Sequence, residues 1–257
     1  MPSPTVSVVI PVKDDAENLE RCLRALQLQT MPPHEIVVVD DRSSDGSAAV
    51  ARAFGARVVP SIGTGIPAAS ATGYDFATSE ICARLDADCL PPTDWIEHIA
   101  HSFAADASLD GLTGFASFID GPRALRGIAI WLYLGAYFVT VYLALGHTAL
   151  FGSNLAVRRS AWESVSDEVH RGSDVHDDMD LSFHLGPLRT IRFDRTLRMG
   201  ISMRPLTHPH GFGLRMRRGF RSVVAHWPAS LPWSRWYQRI SAARSLGNQG
   251  GDAVGRV

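Results

Sequence analysis

The sequence predicts an α/β protein built on a doubly wound, mostly parallel sheet, and three observations carry that expectation. Short β-branched runs alternate with segments of helical period from residue 6 to residue 104, the pattern of repeated strand–helix–strand units. The runs are apolar without a break, as in strands covered on both faces. Acidic clusters follow the second and fourth runs directly, at the carboxyl ends where such sheets bind ligands.

The elements follow in order. Val6–Val12 (VSVVIPV) is the first buried strand; Lys13-Asp14-Asp15 interrupts it, and Leu19, Cys22, Leu23 and Leu26 recur at helical spacing. A second strand over Ile36–Val39 ends in Asp40-Asp41-Arg42-Ser43-Ser44-Asp45-Gly46-Ser47, where Asp45 is the expected N-cap of a helix Ser47–Phe54. Val58-Val59 reads as a brief third strand, and Ala68–Thr78 as a helix that Gly73 weakens. Ile81–Leu85 is the fourth strand and ends at Asp86-Ala87-Asp88. Pro91-Pro92 stop it, and Asp94–Ala104 returns to helix with Trp95, Ile99 and Phe103 on one face. Leu155–Val157 is a further strand and Met179–Leu185 a further helix.

Composition narrows the class. With 46% hydrophobic and 20% charged residues, the chain is neither disordered nor collagenous. Three cysteines, Cys22, Cys82 and Cys89, are odd in number and lack CxxC spacing, which speaks against a disulfide framework or a zinc ribbon and for a reduced compartment. The start runs straight into a strand pattern without a basic n-region, so no signal peptide is expected. The net charge of −1 hides a split: the 13 arginines from Arg189 onward face only Asp194 and Asp252, a cue for an anionic partner. No nucleic-acid motif accompanies that block, so nucleic acid is not the expected partner.

Three carboxylate groups stand out: Asp40-Asp41, Asp86 with Asp88, and Asp177-Asp178 in HDDMDLSFHL. Hard oxygen ligands at strand ends suit Mg²⁺ or Mn²⁺ carrying a substrate diphosphate, and such an ion acts as a Lewis acid on the leaving phosphate. An isolated Asp-x-Asp is equally at home in a solvated loop or at a helix cap.

The combination is more specific. VSVVIPVKDDAENLERCLRALQLQT, EIVVVDDRSSDGS, ARLDADCLPPTDWI, FGSNLAVRRSAWE and HDDMDLSFHL, in that order from about Thr5 to Leu185, resemble a family-2 glycosyltransferase of GT-A fold. The resemblance implies an inverting transfer of a sugar from a nucleotide-diphosphate donor, of UDP or GDP type, assisted by Mn²⁺ or Mg²⁺. It implies that Pro11 and Val12 line the base and that Asp41, with Asp40 beside it, contacts base and ribose. Asp86 lies against ribose or sugar, and Asp88 is the direct metal ligand. Asp178, next to Asp177, is the general base that takes a proton from the acceptor hydroxyl. Gly152-Ser153-Asn154 shape the pocket for acceptor and donor sugar, with Asn154 donating to a sugar hydroxyl. Arg204 and the cluster Arg215, Arg217, Arg218 and Arg221 are the arginines expected to close over the diphosphate, and His208 or His210 the candidates for a third metal ligand. No Gln-x-x-Arg-Trp is present, which disfavours processive polysaccharide synthesis. The implied organisation is a single domain over 1–230, with a nucleotide-sugar half at 5–120, an acceptor-side half at 121–230, and a flexible tail over 231–257.

Two departures bear on these expectations. Ser70 and Ala71 stand where the family carries Arg-Asn; losing a guanidinium there removes a bidentate contact. Arg84 is placed either to compensate or to point at solvent. This departure motivates a second reading, a catalytically impaired member serving as a binding or assembly module. A nucleotidyltransferase ranks lower, because PVKDDAEN lacks the glycines of its phosphate loop. From Gly127 to Val157, moreover, there is no Asp, Glu, Lys or Arg, and Ile128–Leu145 is long enough to cross a hydrocarbon core. Crossing would separate Asp88 from Asp178, so the segment 127–151 is expected to be a buried helix, a re-entrant hairpin or an interfacial helix; it is apolar all round, which fits burial against something on every side. Core packing, a homodimer and a membrane surface are the open covers. The last suits a lipid-linked acceptor, as against a soluble glycan, and a location in the cytoplasm or at its membrane face.

Overall fold

The structure, a computed structural model, describes residues 3–186, 188–207, 211–227 and 231–241. Its sheet has seven strands in the order β3-β2-β1-β4-β6-β5-β7. The first four are β1 (Val6–Val12), β2 (Glu35–Asp40), β3 (Arg57–Pro60) and β4 (Ile81–Arg84). All pair in parallel, so their carboxyl ends, with Asp40, Asp41, Asp86 and Asp88, open on one edge. Every residue of β1 and β4 is buried, Ser7 and Arg84 included, which accounts for their predominantly apolar sequences.

The connecting helices are α1 (Ala16–Gln27), α2 (Ser47–Ala53), α3 (Ile66–Phe76) and α4 (Trp95–Ala105). Helix α1 buries Leu19, Cys22, Leu23 and Leu26, the stripe read from the sequence. Asp45 lies one residue before the N-cap, Gly46, yet its carboxylate accepts the Ser47 N–H at 2.9 Å and the Ala16 N–H at 3.0 Å. Gly73 strengthens α3 instead of weakening it: a Cβ there would stand 2.2 Å from Val9 Cγ1, so glycine lets the helix lie directly on β1.

The second half completes the sheet with β5 (Leu109–Phe118), β6 (Leu155–Arg158) and β7 (Thr190–Ile201). Strand β6 runs antiparallel to both β4 and β5, and β7 runs parallel to β5 with two register shifts. Helix α5 (Arg123–Leu145) connects β5 to β6, followed by α6 (Arg159–Glu163), α7 (Asp177–Leu185), α8 (Arg204–Thr207) and α9 (Gly211–Ala225).

One expectation is narrowed here and another needs correction. Helix α5 is covered on one face only: Ile130, Leu134, Val141 and Leu145 are buried, whereas Leu125, Ile128, Trp131, Leu132, Val139 and Leu143 are exposed. Among the described residues it is the one helix long and apolar enough to cross a membrane, with 22% of its apolar window buried. A single crossing is incompatible with the sheet, because β5 before it and β6 after it are hydrogen-bonded neighbours. The flexible stretch expected from residue 231 is helical over 232–241. Arg235 fixes it, donating to Leu145 O at 2.9 Å and Phe183 O at 3.1 Å from a buried position. Residues 242–257 lie outside the described part.

Candidate active site

The carboxyl edge of the sheet gathers the aspartates around a buried arginine. Arg84, the last residue of β4, is 2% exposed. Its guanidinium stands 2.8 Å from Asp86 and 3.3 Å from Asp177. Burial alone would make this cation easier to discharge, but Asp177 and Asp86 outweigh it and hold Arg84 above its ordinary range. Asp177 also accepts a hydrogen bond from Ser70 Oγ at 2.8 Å. Thus Ser70, at the position where the family carries arginine, and Arg84, from the neighbouring strand, meet on one carboxylate. Asp177 remains above the usual carboxylate range because burial and the charge of Asp178 outweigh Arg84.

Gly152 makes this arrangement possible. A Cβ there would stand 2.0 Å from an Arg84 terminal nitrogen and 3.1 Å from an Asp178 oxygen, while its N–H donates to Asp178 Oδ2 at 2.8 Å. Asp178 is nearly buried, and its Oδ1 accepts the Met179 N–H at 2.7 Å. The Tyr137 hydroxyl, donated to Leu150 O at 2.7 Å, lies beside Asp178; burial first, then that charge, pushes the phenol well above its usual range. Helix α5 therefore reaches the site through Tyr137.

Asp88 sits across the edge. Arg204, at the start of α8, approaches it at 2.7 Å and Asp15 at 2.6 Å. Burial and the charge of Asp86 raise the Asp88 carboxyl above its ordinary value. Asp86 accepts from Ser153 Oγ at 2.6 Å. The donors offered to a divalent ion are the hard carboxylate oxygens of Asp86 and Asp88; the neighbouring Cys89 thiol, pushed well up by burial, stays protonated. Asp88 already faces a positive group in Arg204, so this edge suits a cation.

The other expected residues divide. Pro11 and Val12 are at the end of β1, but both side chains are buried. Val12 belongs to the main core and its carbonyl accepts the Asp41 N–H at 2.9 Å; it positions Asp41 and offers no side-chain surface for a base. Asp41 is buried and accepts the Gly65 N–H at 2.8 Å, tying β2 to the start of α3. Asp40 closes its own loop through the Ser43 N–H at 3.0 Å. Asn154 is a correction. It is fully buried, accepts from Trp95 Nε1 at 2.9 Å, and donates to Phe115 O and Leu197 O at 3.0 and 3.1 Å, so no donor remains for a sugar. Gly152 and Ser153 serve the carboxylates Asp178 and Asp86, and Trp95 and Trp162 are core. Arg217 and Arg218 lie on α9, and Arg221 pairs with Asp174 at 3.3 Å. The side chain of Arg215, and all of His208 and His210, fall outside the described residues. Asp15 and Tyr137 were not singled out from sequence. Asp15 reads there as a loop residue, and Tyr137 as one of several aromatics on an apolar helix.

A mixed, mostly parallel sheet with carboxylates converging at its carboxyl edge defines a nucleotide-binding class of α/β protein, and the comparisons narrow that class. The family model described as Glycosyl transferase family 2 matches residues 7–165; the chain belongs to this family. It is 39% identical over 102 residues to the glycosyltransferase AglE of Haloferax volcanii, covering 37% of this chain and 34% of that protein. It is 34% identical over 116 residues to undecaprenyl-phosphate 4-deoxy-4-formamido-L-arabinose transferase of Sodalis glossinidius, covering 41% and 36%. Each match thus spans about a third of the relative's length. Among solved structures, the fold is similar to mannosyltransferase PcManGT of Pyrobaculum calidifontis in complex with GDP-Man and Mn²⁺, with TM-score 0.66, 20% identity, and coverage of 88% of this chain and 64% of that one. It is also similar to glucosyl-3-phosphoglycerate synthase of Mycobacterium tuberculosis in complex with Mn²⁺, UDP and glucosyl-3-phosphoglycerate, with TM-score 0.61, 19% identity, and coverage of 86% and 79%. The fold is GT-A.

Proposed function

We propose that this chain transfers a sugar from a nucleotide-diphosphate donor, of UDP or GDP type, to an acceptor hydroxyl with inversion, and that Asp178 is the general base. The observation that carries this reading is the bridge Arg84 makes between Asp86, of the Asp-x-Asp, and Asp177, beside the base. It joins a donor-side and an acceptor-side carboxylate in one site.

An alcohol oxygen needs a carboxylate within about 3 Å to take its proton as it attacks. The two backbone N–H groups on Asp178 fix the direction of its remaining lone pairs, and Arg84 and Ser70 hold Asp177 against it. Mn²⁺ or Mg²⁺ held by Asp88, with Asp86 alongside, would supply Lewis-acid neutralisation of the leaving diphosphate. The charge count supports it: Asp15, Asp86, Asp88, Asp177 and Asp178 face only Arg84 and Arg204 as described cationic partners. Arg217 and Arg218 on α9 are the candidates for the diphosphate itself.

The test is transfer by the purified full chain across a panel of UDP- and GDP-sugars with Mn²⁺. Asp178→Asn should lower turnover by roughly 10²–10⁴-fold while leaving donor affinity within a few-fold. Retention of more than about a hundredth of the activity contradicts the base, and a chain that neither binds nor hydrolyses any nucleotide sugar is the binding or assembly module instead.

We further propose that the exposed face of α5 meets the cytoplasmic membrane surface and that the acceptor is lipid-linked. Trp131, Leu132, Val139 and Leu143 are each more than half exposed, and so are Trp227, in the turn after α9, and Trp233 and Tyr237 on the helix that follows. Arg123 and Arg126 begin the same helix, and aromatic and arginine side chains around an apolar face suit the headgroup region. Sedimentation with anionic vesicles tests this; Trp131→Glu with Leu132→Glu should abolish it. A soluble dimer lost in the same variant would identify a second copy as the cover.

A further inference from the structure

One turn along α7 from Asp177, on the same side of the helix, three histidines converge on a second buried aspartate. Asp180 is 1% exposed. His184, one turn later on the same helix, sets Nε2 3.7 Å from Asp180 Oδ2. His226, at the end of α9, sets Nε2 3.4 Å from Asp180 Oδ1, and His170, in the loop after α6, sets Nδ1 2.7 Å from the same oxygen. All four donor atoms lie within 4.8 Å of one another.

The hydrogen bonding of the rings adds an independent argument. His226 Nδ1 faces the Ser222 carbonyl at 2.6 Å. A carbonyl only accepts, so this nitrogen carries the proton, and in the neutral ring Nε2 keeps its lone pair. His184 Nδ1 likewise faces the Glu168 carboxylate at 3.6 Å, which favours the same tautomer. The two Nε2 atoms then present lone pairs to each other at 3.2 Å, an arrangement that repels unless a cation sits between them. Stacking on Phe183, with 4.1 Å between centroids, fixes the His226 ring.

Four donors about 2.0–2.1 Å from a tetrahedral ion stand roughly 3.3 Å apart. The separations above bracket that value. Three imidazole nitrogens and one carboxylate oxygen are a zinc-type donor set, softer than the all-oxygen set at Asp86 and Asp88. The outer partners, a backbone carbonyl and a carboxylate behind the ligating rings, are those expected of a metal-bound histidine.

We propose that His170, Asp180, His184 and His226 form a structural site for one Zn²⁺-class ion, separate from the divalent site of the candidate active centre. The ion fastens the end of α9 and the loop carrying His170 onto α7, the helix that presents Asp177 and Asp178. One buried carboxylate would be balanced by a single imidazolium; a metal accounts for all three. The proposal does not depend on sugar transfer.

The test uses the full chain, stripped with chelator and titrated with Zn²⁺, Co²⁺, Mn²⁺ and Mg²⁺ separately. The expected result is one Zn²⁺ per chain by native mass spectrometry, a rise in melting temperature with Zn²⁺ that Mg²⁺ does not reproduce, and the visible absorption of tetrahedral Co²⁺. Glu168→Gln, a change at an exposed outer partner, should weaken Zn²⁺ by about 10-fold. His184→Ala and His226→Ala should exceed the ~100-fold upper range of outer-partner losses, while Asp88→Ala keeps the ion. Should the alanine variants fail to fold, the Co²⁺ spectrum of the wild-type chain and the Glu168→Gln affinity decide. A folded, stripped chain that takes up no Zn²⁺ and gives no tetrahedral Co²⁺ spectrum overturns the proposal. So does Zn²⁺ binding lost in Asp88→Ala and kept in His226→Ala.

Discussion

Replacing Arg84 by methionine removes the guanidinium from between Asp86 and Asp177 while keeping an unbranched apolar stem. The lost contacts are 2.8 and 3.3 Å long, and the arginine side chain is 3% exposed. Breaking a buried pair by deleting one partner costs roughly 3–5 kcal/mol, because the other charge stays behind. Asp177, whose side chain is 14% exposed, bears most of that cost; Asp86, at 31%, is better solvated and adds less. The sign with pH follows from Asp177. Its folded pKa already lies above the ordinary value through burial, and Arg84 is the largest influence pulling it down, so the variant's value lies higher still. A folded pKa above the unfolded one means the native state binds the proton more tightly. The stability deficit is therefore full above the variant's folded pKa and shrinks as pH falls through it. Urea unfolding of both proteins at about pH 7.5 and about pH 5 measures this. A deficit below about 1 kcal/mol at the higher pH, or one that widens on acidification, would refute the charge balance described here.

Three further outcomes follow from close contacts. Gly152→Ala drives a Cβ into Arg84 and should cost roughly 1–3 kcal/mol of overpacking; activity lost without any fall in stability would show that the contact relaxes freely. Gly73→Ala should cost a similar ~1–3 kcal/mol through Val9 and leave donor affinity unchanged, which separates a packing glycine from a site glycine. Asn154→Leu orphans Trp95 Nε1, Phe115 O and Leu197 O. At about 1–3 kcal/mol per buried unpaired group, it should unfold at much lower urea, whereas a stable variant with only a raised KM would restore Asn154 to the sugar pocket.

The first half of the sheet was legible because β1 and β4 are buried throughout and β2 at its three central valines, and burial on both faces leaves an apolar run that periodicity detects. Strands β5 and β7 escaped for other reasons. LDGLTGFASF carries two glycines and two register shifts, and TIRFDRTLRMGI, at the sheet edge, exposes Arg195 and Arg198. Helix α5 was legible only in part through composition: a segment without charge says that water is unfavourable around it, not which surface supplies the cover. The HDDMDLSFHL segment held two sites. Asp177 and Asp178 were read as one carboxylate pair, but Asp180 and His184, spaced i, i+4, share a face and meet His170 and His226 only through tertiary packing.

The absent Arg-Asn pair is the one departure that could have made this chain an inert relative, and the geometry divides its consequence in two. A guanidinium near the base-side carboxylates is restored: Ser70 gives up reach but keeps a hydroxyl on Asp177, and Arg84 delivers the charge from β4 across the space Gly152 leaves open. A guanidinium for a diphosphate is not restored there, since Arg84 is buried and spent on protein carboxylates. The cationic side chain described at the other end of the sheet's carboxyl edge is Arg204, which follows Asp178 in the chain. Arg204 is less than half exposed, at 42%, and bound to Asp88 and Asp15, so a cation arriving at Asp88 competes with it directly. The fold brings Arg204, some 130 residues after Ser70 in the chain, back to the same strand ends, where it meets Asp88 and Asp15. Near-neutral net charge concealed that cation; the distribution of charge along the chain did not.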